Sequence, residues 1–177
     1  TCTATGNITV NVIQPICDPE MTINYSTPKN SITVASELFN SSSFVSSSNI
    51  FISGTLQIDI PMTFITCNLI MDKDAVIELL DGNTITIADK THIYSCTEMW
   101  NGIIADKSSE QIIISGNSLI EDAKKAVFIE NDALLTMDHA ILNNNLYGVY
   151  IKNSTAGPSP ITVKSSVFSS RFLFSHQ

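Results

Sequence analysis

Three groups of residues in this sequence have the types and spacing to do chemistry. The first is Asp72-Lys73-Asp74. Alternate carboxylates in a turn converge on a hard cation, so Asp72 and Asp74 are the candidate calcium ligands, with turn charge held in water as the alternative. No other cofactor is expected. The second group is aromatic: Trp100, Tyr147 and Tyr150 would form a strip that stacks on sugar rings, unless Trp100 plugs a corner of the fold. The third is the four cysteines. Cys2 and Cys17 close a short N-terminal loop and are the disulfide candidates in an oxidising compartment, whereas Cys67 and Cys96, read as one column a coil apart, are expected as buried free thiols, with a bridge between them as the alternative.

Other motifs are missing. His92, His139 and His176 have no His or Cys partner at metal-binding spacing and read as surface or rim residues. Glu121 and Asp122 are neighbours on a strand and point to opposite faces, so they read as solvated charge at a corner rather than an acid/base pair. Nucleophile elbows, phosphate loops and dinucleotide fingerprints do not occur.

The elements that position these residues follow from composition. The chain has 177 residues, and its 25 Ile, 9 Val and 17 Thr favour strands over helices. A net charge of -8 with a single arginine, Arg171, leaves no patch to neutralise phosphates, which excludes nucleic acid and anionic membranes as partners. No apolar run is long enough to span a membrane. The abundance of Ser, Thr and Asn suits an extracellular or cell-surface setting. Residues 1–48 read as an extended capping segment ending in a Ser-rich linker, Ser41 to Ser48, and 49–177 as the main domain.

Within that domain the sequence repeats. Phe64, Ile93, Ile120, Leu142 and Phe168 each open a four-residue piece whose third member is small or polar, and the first and second of these pieces end in Cys67 and Cys96. A second strand recurs as Gly102 to Ala105, Ala126 to Ile129 and Gly148 to Ile151, and a third as Thr84 to Ile87, Ile112 to Ile114, Leu134 to Met137 and Ile161 to Val163. Three strands in roughly 22 to 29 residues predict a β-solenoid whose turns stack about 4.8 Å apart. The expected fold is all-β, a right-handed parallel β-helix of about four to five coils, handedness following the rule for parallel crossovers.

Ile52 to Leu56, Phe64 to Asn68, Ser95-Cys96, Met99 to Ile103 and Ile120 to Ala123 together resemble repeats of large secreted bacterial surface proteins in the pectate-lyase-like superfamily. The resemblance covers about 50 to 170 and implies a parallel β-helix in a secreted setting, in a superfamily that holds lyases and hydrolases of polysaccharides beside repeats with no known activity. Lyases of this kind use an Arg or Lys base with calcium, and inverting hydrolases use carboxylates facing each other; one Arg and no paired carboxylate column weigh against both. The expected function is therefore a non-catalytic secreted or cell-surface module for adhesion or glycan binding, with part of a β-helix lyase or hydrolase as the alternative. Phe172, Leu173 and Phe174 close to the end suggest a coil cut short, with edge-to-edge self-association there.

Overall fold

The computed structural model describes residues 21–80, 82–153 and 161–170. Its first turn comprises β1 (Tyr25–Ser26), β2 (Ile32–Val34), the short helix α1 (Ala35–Leu38) and β3 (Phe44–Ser46). The second carries β4 (Asn49–Ile52), β5 (Thr55–Ile58) and β6 (Met62–Ile65), and the third β7 (Asn68–Met71), β8 (Val76–Leu79) and β9 (Thr84–Ala88). Then come β10 (His92–Ser95), β11 (Gly102–Ala105) and β12 (Gln111–Ser115), followed by β13 (Leu119–Glu121), β14 (Lys125–Glu130) and β15 (Leu134–Asp138). The sixth turn holds β16 (Ile141–Asn143), β17 (Tyr147–Lys152) and β18 (Ile161–Lys164), and β19 (Val167–Ser169) begins a seventh.

Every third strand pairs with the next, in parallel. Sheet A runs β1-β4-β7-β10-β13-β16-β19, sheet B β2-β5-β8-β11-β14-β17 and sheet C β3-β6-β9-β12-β15-β18. The fold is a parallel β-solenoid, as the repeat predicts. Alternation sends one set of side chains inward on each sheet: Ile50, Leu69, Ile93, Ile120 and Leu142 on A, Leu56, Ile77, Ile103 and Val127 on B, Ile85, Ile112 and Leu135 on C. All are buried. Each such side chain contributes about 1.5 to 3 kcal/mol, and their β-branched shapes fit the stack.

The corners have their own code. Between sheets C and A the chain turns through left-handed residues, among them Ser47, Thr66, Asp89, Asn117, His139 and Ser165. In four of these corners the residue just before the next sheet A strand closes the corner with a side-chain bond to a carbonyl: Ser48 to Ser46 at 2.9 Å, Thr91 to Ala88 at 2.7 Å, Ser118 to Ser115 at 2.6 Å and Ser166 to Lys164 at 2.8 Å. Cys67 holds this place in its own turn, its thiol 3.4 Å from the Ile65 carbonyl. At Gly102, φ is 113° and a Cβ would lie 1.6 Å from the Lys125 carbonyl oxygen, so only glycine lets sheet B of adjacent turns approach there.

Three expectations change. Among the described residues the solenoid already includes Tyr25, inside the stretch read as a cap, and has about six turns instead of four to five; the Ser-rich tract contains β3, whose Val45 is buried in the core. α1 and the serines interrupt the alternation of this turn and hide it in the sequence. Phe64 does not stack with Ile93. Ile93 pairs with Leu69, and Phe64 lies in sheet C opposite Ile87. Only Thr66 and Cys67 separate the two strands, so large apolar residues flank the corner on both sides. Cys67 and Cys96 therefore share no column: His92 pairs with Asn68, which sets Cys67 level with Thr91.

Candidate functional site

The outer face of sheet B changes character along the solenoid. One register column runs Gln57, Glu78, Ile104, Phe128, Tyr150. Its early members are polar and bonded to each other, Gln57 Nε2 donating to Glu78 Oε2 at 3.0 Å. Its late members are aromatic. Phe128 and Tyr150 have ring centroids 5.5 Å apart at 37°, and Tyr147 meets Tyr150 edge-on at 5.5 Å and 71°. Lys125 Nζ stands 4.6 Å from the Phe128 centroid and 4.4 Å from that of Tyr150, within cation–π range. All four side chains reach solvent, Tyr147 with 49% of its surface exposed.

Of the expected aromatic strip, Tyr147 and Tyr150 thus come together. Trp100 does not join them. It is wholly buried, its Nε1 donating to the Glu121 carbonyl at 2.8 Å, and its backbone bridges Ala123 of the next turn. It fills the long corner between β10 and β11. Phe128 and Lys125 take its place on the platform. The signal for Phe128 was in the repeat, where Ile104, Phe128 and Tyr150 hold the third position of successive pieces.

The carboxylates of Asp72 and Asp74 are engaged separately. Asp72 accepts from the Ser53 hydroxyl at 2.7 Å and from the Lys73 amide at 2.8 Å, while Asp74 pairs with Lys124 Nζ at 2.5 Å. The hydrogen bond and charge of Lys124 hold the Asp74 carboxyl below its ordinary range. Among the described residues no group of three or more His, Cys, Asp or Glu could hold a metal ion. Cys67 is free and buried, and that burial pushes its thiol up. Cys96 is disulfide-bonded, which corrects the expectation of a second free thiol: it stands at the start of a long loop, not in a closed corner of small residues. Cys2 and Cys17 lie outside the described residues.

Sheet A carries a polar ladder the sequence did not announce. Glu121 is buried rather than solvated, its carboxylate taking a 2.8 Å contact from His92 Nε2 and a hydrogen bond from Asn143 Nδ2. Ser169 continues the row, its hydroxyl donating to Asn143 Oδ1 at 2.8 Å, and Tyr94 stacks on His92 at 4.4 Å. Ile120 points inward, so Glu121 faces out, and it became legible only once the pairing of β10, β13 and β16 was known. This ladder ties four turns together. Glu110 is the other buried carboxylate among the described residues: Oε2 accepts from the Asp106 and Lys107 amides, whereas Oε1 has no partner, and burial raises its pKa.

Compared with protein families, with curated proteins and with solved structures, the chain matches none. Its class rests on the fold, a parallel β-solenoid of about six turns. No helix among the described residues is long and apolar enough to cross a membrane.

Proposed function

We propose that this protein is a non-catalytic, secreted or cell-surface solenoid module that binds polysaccharide along the outer face of sheet B. The observation that carries the reading is the platform of Phe128, Tyr150, Tyr147 and Lys125. Aromatic faces stack on the apolar faces of sugar rings, and the pairing of β14 with β17 sets the spacing of these rings. A solenoid presents such a column in line with its axis, which suits a linear polymer. The buried Glu121 and the bonded Asp72 and Asp74 serve the scaffold in this reading, and the chain turns over no substrate.

Electrophoresis of the native protein through gels containing soluble xylan, neutral β-glucan or pectin tests the proposal. At least one polymer should retard it, and Tyr150→Ala should abolish the retardation while Thr86→Ala on sheet C leaves it unchanged. Migration unaffected by every polymer, or retardation that survives Tyr150→Ala, would contradict the reading.

A further inference from the structure

The outer face of sheet C differs from those of sheets A and B. β6, β9 and β12 carry no charged residue, and the first on this sheet is Asp138 at the end of β15. By contrast Glu78, Lys125 and Glu130 stand on sheet B, and His92 and Glu121 on sheet A. Phe64, Ile87, Ile112 and Leu135 are buried, so the residues beside them in sheet C face out. Strand pairing sets five of these in one row: Thr63, Thr86, Ile113, Thr136 and Thr162. All five reach solvent. Among the described residues the four threonine hydroxyls of the row have no hydrogen-bond partner, which leaves them to water. A second row, two residues further along each strand, runs through Ile65, Ala88 and Ser115. No outward side chain of β6, β9 or β12 is aromatic.

We propose that this face binds ice, its rows ordering water in register with the crystal. β-branched side chains have a restricted χ1, so methyl and hydroxyl positions are set before contact. Parallel pairing spaces successive turns about 4.8 Å apart, and alternate residues of one strand stand about 6.6 Å apart, which makes a two-dimensional array. Those spacings are comparable to the oxygen repeats on faces of hexagonal ice. Methyl groups restrict the orientation of first-shell water, and the free hydroxyls tie that water to the protein. Ile113 interrupts the hydroxyls but keeps the branched outline. The chemistry of the face disfavours other occupants. A charged partner would find no ion pair on β6, β9 or β12, and a sugar ring no aromatic face to stack on. A second copy packed face to face would take the hydroxyls out of water for little apolar gain. The proposal goes beyond the polysaccharide face and stands without it.

Thermal hysteresis of the full chain, the gap between the melting and ice-growth temperatures, tests it, together with the share of protein drawn into slowly growing ice. Hysteresis should rise with protein concentration, and the protein should enter the ice while serum albumin stays in the liquid. Ile113→Lys, which sets a charge in the middle of the row, should abolish both effects. Thr136→Val is the second variant, isosteric and outside the core, so folding is not at risk; it should lower hysteresis by removing one hydroxyl. Ice growth without hysteresis, exclusion of the protein from ice, hysteresis that survives Ile113→Lys, or indifference to Thr136→Val would overturn the proposal. So would sedimentation showing a dimer that is lost on Ile113→Lys, since that would assign the face to a second copy.

Discussion

Among the described residues the two ends of the solenoid differ in how they treat an inward-facing phenylalanine. At the first turn Phe39 is 3% exposed, packed edge-on between Tyr25 at 5.0 Å and Phe64 at 5.7 Å. There α1 is held to the second turn by Asp59, which accepts from the Ser36 amide at 2.9 Å and from its hydroxyl. At the last turn Phe168 occupies an inward position with half its surface in solvent. The difference shows that position in a column does not fix a side chain's contribution in a solenoid; the residues that cover it do. It also separates residues that hold turns together from residues that stand in solvent.

The largest effect should come from breaking that contrast directly. Phe39→Ala should cost about 3 to 5 kcal/mol by denaturant unfolding, and Phe168→Ala well under half as much, because a cavity penalty requires surrounding atoms. Equal losses would mean the last turn is covered. Next is a crossed pair. Trp100→Phe removes both the hydrogen bond to the Glu121 carbonyl and part of the buried ring, costing about 1 to 3 kcal/mol while leaving polysaccharide retardation intact. Tyr150→Ala should do the reverse.

A pH series sharpens the comparison further. For Glu110, burial outweighs the amide bonds and raises the folded pKa, so the folded state prefers the proton. Its contribution is fully present below the ordinary glutamate pKa and is lost as pH rises through the folded value; Glu110→Gln should therefore gain stability over the wild type as pH climbs from 4 to 8. Asp59 at the closed end behaves oppositely. Burial works to raise its pKa, but the Ser36 hydroxyl and amide together hold it low, so its contribution is lost as pH falls. Asp59→Asn should flatten the acid limb only. The smallest effect belongs to Cys67→Ser, within about 1 kcal/mol, since serine and threonine fill the same corner elsewhere. Native Cys67 should react slowly with thiol reagents, being buried with a raised pKa.

Much of this contrast was legible in the residues. The columns Ile93-Ile120-Leu142-Phe168 and Gly102-Ala126-Gly148 were readable because those turns have similar corners. Leu69 was missed because the corner before β7 is two residues long, and the turn from Tyr25 because α1 breaks its period. The partnership of Tyr147 with Tyr150 could be read from spacing, but the fate of Trp100 depended on which way a long corner folds, and no periodicity encodes that. Glu121 and Glu110 were beyond reach for a related reason: burial of a polar group outside the regular inward columns is set by three-dimensional cover, not by alternation.

Hydrogen exchange followed residue by residue, without and with the polysaccharide that retards the protein, tests the central claim most directly. Slow exchange is expected from β4 through β16 and faster exchange in β17, β18 and β19, with the polysaccharide slowing amides of β14 and β17 alone. Uniform protection across all turns, or slowing confined to sheet A or sheet C, would contradict the account.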